Sequence, residues 1–216
     1  MIRKTLTGLL AALLTLGAAA LPADEATLEA LRPLQQRWAQ IKYQTPPDRQ
    51  VEAFEVLARD AHQVSADNPG AAEPLVWEAI ILSTEAGAKG GLGALGLVKR
   101  ARELLVQAER IDPDALDGSV YTSLGSLYYQ VPGWPLGFGN DGKARDYLRK
   151  ALAVNPDGID PNYFYGDFLI EEGEYAEAVK VLEHALEAPP RPGRELADSG
   201  RREEVRAALS KARAEL

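Results

Sequence analysis

The chain has 216 residues, which is enough for one domain or one short array of repeats, and it carries a formal charge of −8. It contains no cysteine, which excludes disulfides, thiolate metal ligands and a lipid-modified cysteine. Its basic residues are interspersed with a larger number of acidic ones, so neither nucleic acid nor an anionic membrane surface is an expected partner.

The first element along the chain, residues 1–23, has the pattern of a cleaved signal peptide. Two basic residues precede an apolar segment over 6–16, and small residues follow it, so that cleavage after Ala20 or after Ala23 fits the small-x-small rule. The alternative is an uncleaved anchor, but the apolar segment is short of the about 20 residues that a span needs. We expect a periplasmic or secreted protein without stable membrane insertion.

An internal repeat follows, marked by three helical endings that stop at Pro113, Pro156 and Pro190. Five residues before each proline lies an alanine, and another alanine lies seven residues before that, with a leucine between the two. The alanine pairs are Ala101 and Ala108, Ala144 and Ala151, and Ala178 and Ala185, and the leucines are Leu105, Leu148 and Leu182. Residues seven apart share one face of a helix, so each alanine pair offers a smooth strip for a closely packed neighbour.

The last unit has a regular length. Pro156 and Pro190 are 34 residues apart, Gly166 lies twelve residues before Ala178, and Gly173 opens the turn between two helices. This series resembles the 34-residue tetratricopeptide repeat (TPR). The resemblance implies an all-α fold, a short right-handed solenoid of antiparallel helix pairs with capping helices.

On this interpretation the mature chain is one TPR domain over 24–216. It comprises a degenerate repeat at 28–69, repeats at about 72–113, 118–156 and 159–190, and a C-terminal capping helix at 202–216.

Two repeats carry insertions at the same place, between their first and second helices. One is a glycine-rich loop at 87–96, and the other is an aromatic loop at 131–139 that contains two prolines. Because equivalent turns stack along one edge of a solenoid, we expect the two loops to be neighbours. Exposed apolar loops predict a site for a ligand or a partner. The alternative is that the loops cover the core of their own repeats.

The residues predicted to bind a ligand or partner are therefore drawn from the loops and the helix end before the second loop. They are Gly91, Leu92, Gly93, Tyr128, Tyr129, Trp134, Leu136 and Phe138. The two adjacent tyrosines cannot both face inward on one helix, so we expect one of them to face the concave groove or the loop edge.

A narrower resemblance covers residues 119–170. The segments 125–129, 131–139 and 155–162 are similar to the T-components of tripartite ATP-independent periplasmic (TRAP) transporters and their uncharacterised relatives. The resemblance implies a periplasmic protein that can form homo-oligomers and can partner a solute-binding protein for a hydrophobic organic acid. The expected partners are therefore a solute-binding protein and a small apolar ligand. Members of that group are often lipid-anchored, and the absence of cysteine departs from this pattern.

The sequence predicts no catalytic residues, no metal site and no cofactor. Gly91, Gly93 and Gly96 match the spacing of a dinucleotide-binding loop, but a repeat helix precedes them where that motif needs a strand. His62 and His184 lie in different repeats without further ligands at helical spacing. We therefore expect a binding protein rather than an enzyme. The competing hypothesis is a protein–protein scaffold in cell-envelope assembly that holds no small-molecule ligand.

Overall fold

The computed structural model describes residues 23–216, so the predicted signal peptide lies outside the described residues apart from Ala23. The described part of the chain is helical and contains no strand, which confirms the predicted all-α class. Its helices are α1 (Ala23–Gln44), α2 (Pro47–Asp67), α3 (Ala72–Lys89), α4 (Leu95–Ile111), α5 (Ala115–Gln130), α6 (Asp141–Val154), α7 (Ile159–Glu171), α8 (Tyr175–Glu187) and α9 (Glu195–Ala214), with a short 3-10 helix at Leu92–Ala94.

Consecutive helices pack as four pairs, α1 with α2, α3 with α4, α5 with α6 and α7 with α8. The first helices of successive pairs also pack side by side, in the order α1, α3, α5 and α7, and they form the concave side of the solenoid. Between residues 23 and 216, no helix combines the length and hydropathy that crossing a bilayer requires.

The small residues of the repeat lie where two helices of a pair approach most closely. A Cβ placed on Gly166 would lie 2.6 Å from Leu182 Cγ, and one placed on Gly125 would lie 2.6 Å from Leu148 Cγ. Both leucines are fully buried. The repeat therefore needs glycine at these positions because any side chain would collide with the leucine of the partner helix.

The start of α5 is the one strained turn among the described helices. Leu116, Asp117 and Gly118 have φ angles of 53°, 54° and 76°, so regular helical geometry begins only after Gly118. Left-handed geometry costs an L-residue about 1–2 kcal/mol. The turn directs Leu116 and Asp117 toward the concave side.

The C-terminal helix is longer than predicted. α9 begins at Glu195 instead of 202, and the helix contacts α1 as well as α7 and α8. Ala197 is buried in a cluster with residues of α1 to α3, and the backbone of Gly200 lies directly against the Tyr43 ring, where a Cβ would approach to 2.4 Å. Because α9 contacts α1, the two ends of the solenoid meet.

Candidate functional site

The concave side of the solenoid forms a cavity of about 510 Å³. Residues of α1, α3, α5 and α7 line it, and α9 closes it by crossing to α1. The volume lies within the range of about 300–1,000 Å³ that is typical of small-molecule sites. The sequence predicted binding through the concave face and the two inserted loops, but it predicted neither the return of α9 to α1 nor the residues that line this cavity.

Aromatic side chains form much of one wall of the cavity. Trp38 and Trp77 are both buried and meet edge to face, with ring centroids 6.1 Å apart. Trp38 also meets the Tyr43 ring at 5.8 Å, and its indole Nε1 donates a hydrogen bond to Thr84 Oγ1 at 2.9 Å. Because the indole donor is satisfied within the protein, this wall is rigid and mainly apolar toward the cavity.

Tyr163 and Phe164 lie on α7 at the cavity lining, with ring centroids 5.1 Å apart. The Arg201 guanidinium lies over both rings, 4.3 Å and 4.8 Å from their centroids. Burial raises the pKa of Tyr163 to about 12, so its phenol stays neutral at physiological pH. The cavity lining therefore combines aromatic rings with the guanidinium group of Arg201.

A network of ion pairs joins α7 to α9 beside these rings. Arg201 donates from Nε to Asp160 Oδ1 at 2.8 Å and from Nη1 to Glu204 Oε2 at 2.7 Å. Arg191 donates from Nη1 to Asp160 Oδ2 at 2.6 Å and from Nε to Asp198 Oδ1 at 2.7 Å. Burial alone would raise the pKa of Asp160, but the attraction of Arg201 and Arg191 outweighs it and holds that pKa well below its usual range.

One arginine at the lining has no such partner. The guanidinium of Arg194 lies 4.9 Å from the centroid of the Trp77 ring, and its Nε is buried without a hydrogen-bond acceptor. Burial, together with repulsion by Arg191, lowers the pKa of Arg194. Arg194 thus forms no ion pair among residues 23–216, although the charges of Asp160 and Asp198 lie near enough to act on it.

The aromatic loop presents two different faces. Trp134 is 90% exposed and Leu136 is 59% exposed. Phe138 turns inward, 5.7 Å from the Tyr128 ring and under the Arg102 guanidinium at 4.3 Å. The loop therefore covers part of its own repeat through Phe138 while it leaves Trp134 and Leu136 free for a partner.

Backbone contacts hold this loop in one conformation. Gly139 N donates to Pro132 O at 3.0 Å, and Asn140 N donates to Tyr128 O at 2.7 Å. A Cβ on Gly139 would lie 1.9 Å from Val131 O, so only glycine fits this approach of the two loop ends. The exposed side chains are thus carried on a braced support.

The two adjacent tyrosines have separate surroundings, and neither lines the cavity. Tyr128 is buried and stacks on Tyr147 at 5.7 Å, beneath Phe138 of the aromatic loop. Tyr129 donates from its hydroxyl to Asp167 Oδ2 on α7 at 2.6 Å, and burial raises its pKa well above the ordinary value. Both side chains stabilise the stacking of helices around α5.

The glycine-rich loop begins inside α3, which continues to Lys89 and so contains the first residues of the predicted insertion. Gly91 has a φ of 61° and precedes the 3-10 helix, which packs on α3 and α4. Leu92 is 78% exposed, and Gly93 lies against the Lys89 side chain. A helix rather than a strand precedes this loop, so the geometry of a dinucleotide-binding loop is not met.

Both histidines contact acidic side chains. His62 Nδ1 lies 3.1 Å from Glu78 Oε1, and His184 Nε2 lies 2.9 Å from Asp157 Oδ1. Over residues 23–216, no group of three or more His, Asp or Glu side chains is arranged to hold a metal ion.

Comparison with known proteins supports the fold. Residues 139–198 match the tetratricopeptide repeat family. A thermophilic TPR protein of Thermus thermophilus has 23% identity, with 88% of this chain and 91% of that chain covered and a TM-score of 0.57. No curated protein matches the sequence.

Two further solved structures are similar over most of the chain, at lower TM-scores. MamA AMB-1 has 20% identity, with 88% and 92% of the two chains covered and a TM-score of 0.41. The pilF protein of Pseudomonas aeruginosa has 16% identity, with 89% and 90% covered and a TM-score of 0.35. The helix pairs and the similarity to the Thermus thermophilus protein show a TPR-like solenoid fold, and the family match itself is confined to residues 139–198.

Proposed function

We propose that this chain is a non-catalytic periplasmic binding protein whose concave cavity holds a small ligand. One observation carries the proposal: α9 contacts α1, so the concave side forms a partly enclosed cavity of about 510 Å³ in place of a fully open groove. A fully open concave groove suits an extended protein partner, whereas a partly enclosed cavity of this size suits a small molecule. Its periplasmic location rests on the signal-peptide pattern of residues 1–23.

The lining supports an organic ligand with an apolar part. Trp38, Trp77 and Phe164 supply aromatic surface from three different helices, and polar and charged side chains make up much of the remaining lining. Small-molecule sites commonly combine such surface with a small number of placed polar groups.

The resemblance of residues 119–170 to the T-components of TRAP transporters supplies a context for this ligand. In that context the protein is a transporter accessory that docks a solute-binding protein. The exposed Trp134 and Leu136 on the braced aromatic loop suit such docking, because large apolar side chains on a rigid support often dominate the binding energy of interfaces.

A second candidate is a scaffold in cell-envelope assembly without a small ligand. The exposure of Trp134, Leu136 and Leu92 favours this candidate, since these side chains offer contact surface outside the cavity. The two candidates differ in one property, namely whether the cavity is occupied when the protein is active.

Native mass spectrometry of the protein extracted gently from its own periplasm tests the proposal. A retained extra mass of a few hundred daltons, within the size that such a cavity encloses, is the expected result. A homo-oligomer that carries the same mass per chain would agree equally well. A chain that arrives without any small molecule, alone or bound only to another protein, would favour the scaffold instead.

A further inference from the structure

The side of α5 that lines the cavity is polar over most of its length. Four residues, Ser119, Thr122, Ser123 and Ser126, carry hydroxyl groups at the lining, and Gln130 lies at the end of the helix. Their spacing places all five on one face of α5. Because each residue of a helix advances the chain by about 1.5 Å, this polar row is about 16 Å long.

The polar row is not an ordinary solvated surface. Thr122 and Ser126 are only 5% and 9% exposed. α5 packs between α3 and α7, and these two helices bring Trp77 and Phe164 to the cavity lining. Serine and threonine weaken a helix interior, because their hydroxyl groups compete with the backbone for hydrogen bonds. Their repetition on the cavity side of α5 indicates a ligand with polar groups along its length.

The hydroxyl groups of the polar row offer hydrogen-bond acceptors to a ligand. Ser119 Oγ donates to the backbone oxygen three residues before it at 2.6 Å, and Thr122 Oγ1 and Ser126 Oγ donate to backbone oxygens of α5 at 3.3 Å and 3.0 Å. These protons are engaged within the helix, while each oxygen keeps a lone pair for a further donor. A carboxylate or a hydrocarbon chain has no donor at neutral pH. The polar row therefore disfavours the hydrophobic organic acid that the sequence resemblance implies.

The charges at the lining exclude a ligand whose donors are ammonium groups. Four basic side chains reach the cavity, and the acids Asp160 and Glu204 are already paired with three of them. The fourth is Arg194, which forms no ion pair among residues 23–216 and whose buried Nε has no acceptor. A protonated amine would be repelled by these cations, whereas a neutral hydroxyl group can accept a hydrogen bond from Arg194.

From these observations we infer that the ligand is a short neutral oligosaccharide. Its hydroxyl groups donate to the polar row of α5, one of them accepts from Arg194, and the apolar face of a sugar ring lies against the aromatic side chains of the lining. A sugar ring suits such a site because its hydroxyl groups project from its edge, whereas its C–H groups form apolar faces. The inference rests on the proposed function, since it takes the cavity to hold a small ligand.

Titration of the mature protein with neutral trisaccharides tests the class of ligand. The probes are maltotriose, cellotriose and triacetylchitotriose, and 4-phenylbutyrate represents the hydrophobic organic acids. Isothermal calorimetry should give a dissociation constant below about 1 mM for at least one trisaccharide, and 4-phenylbutyrate should bind at least about tenfold more weakly. If 4-phenylbutyrate binds more tightly than every trisaccharide, the inference is overturned, but the cavity is still a ligand site.

Substitution in the polar row tests the residues. A double variant with Thr122→Val and Ser126→Ala removes two acceptors, so it should weaken trisaccharide binding at least about tenfold. Ser210→Ala is the control, because it removes a hydroxyl group from the exposed surface of α9, and it should leave binding unchanged. Thermal unfolding would show that both variants fold. Unchanged binding in the folded double variant would overturn the assignment. Ser123→Ala, at a half-buried position of the row, repeats the test if the double variant does not fold.

The remaining outcomes separate this inference from the proposed function. If no probe binds at about 1 mM, the molecule retained by the protein purified from its native source decides, and fragmentation in the mass spectrometer identifies it. A neutral sugar supports the inference. Any other small molecule overturns the inference while the proposed function stands. If no molecule is retained either, both proposals fail.

Discussion

Arg201 on α9 donates a hydrogen bond from Nε to Asp160 Oδ1 on α7 at 2.8 Å, and Arg191 donates to the other oxygen of the same carboxylate. Asp160 thereby pairs with two arginines that follow the last repeat, and Glu204 and Asp198 supply the further negative charge. Since Arg201 is only 8% exposed, the pair holds the closing helix at the edge of the cavity.

Replacing this carboxylate should destabilise the protein strongly. Asp160→Asn leaves the buried Arg201 with an amide in place of a charge, and the loss of one partner from a buried ion pair costs about 3–5 kcal/mol. Urea unfolding at neutral pH measures the change. Asp157→Asn is the control, because Asp157 is exposed and pairs with the surface His184; it should alter stability by less than about 0.5 kcal/mol. Equal stability of the two variants would refute the role of Asp160.

Because of the Asp160 carboxylate, the free energy of unfolding should depend on pH in the acidic range. The arginines depress the pKa of Asp160 in the folded state below the unfolded value of 3.8. The contribution of Asp160 to the free energy of unfolding is therefore fully present at pH values above its pKa in the unfolded state. It is lost as the pH falls toward its pKa in the folded state. The difference in unfolding free energy between wild type and Asp160→Asn should narrow below about pH 4. A constant difference from neutral pH to pH 3 would contradict this attribution.

Two glycine substitutions should have opposite effects. Gly166→Ala should cost about 1–3 kcal/mol of stability, because its Cβ would lie 2.6 Å from Leu182 Cγ in a fully buried contact. Gly96→Ala in α4 should be neutral or stabilising by up to about 1 kcal/mol, since nothing lies within 4 Å of its Cβ. Thermal unfolding of both variants compares them. The account of helix packing would be wrong if Gly166→Ala were as stable as Gly96→Ala.

Substitutions at two positions of the aromatic loop should have different effects, one on partner binding and the other on stability. Trp134→Ala should change stability by less than about 0.5 kcal/mol, because the side chain is 90% exposed, yet it should weaken docking of the protein partner. Phe138→Ala should lower stability by roughly 1–3 kcal/mol, since it removes a half-buried ring that packs on Tyr128.

Unfolding experiments and a pull-down of the periplasmic solute-binding protein test the two loop variants in parallel. If Trp134→Ala retains full binding while it remains folded, the exposed face of the loop is not the docking surface. A stable Phe138→Ala variant would show that the inner face does not brace the loop.

The helix pairs could be predicted from sequence because each leaves a local signal. Gly166, the buried alanines and Leu182 recur at fixed offsets, since close packing of two neighbouring helices demands small and large residues at particular turns. The all-α class and the TPR-type pairing follow from that pattern alone.

The cavity could not be predicted in the same way, because its closure depends on distant contacts. Gly200 and Tyr43 are in contact although most of the chain separates them in sequence, and no periodic pattern of residues predicts this contact. Charged residues surround Arg194 and Arg201 in the sequence. Such a stretch is typical of a solvated helical surface, so the sequence predicts that both arginines are exposed. Their burial follows from the return of α9 to α1.

The orientation of the side chains in the aromatic loop could not be predicted either, because it also depends on contacts that leave no pattern in the sequence. An exposed position such as Trp134 and an inward one such as Phe138 have the same apolar signature in sequence. Their orientations depend on how the loop ends approach each other, through the contact of Gly139 with Val131. The position of the aromatic loop could therefore be predicted from composition, but which of its side chains face solvent and which face the repeat could not.

A crystal structure of the protein purified from its native source tests the central claim most directly. The account predicts α9 packed on α1 and density for a small organic molecule in the cavity. An α9 separated from α1, or a closed cavity that contains only water, would contradict it.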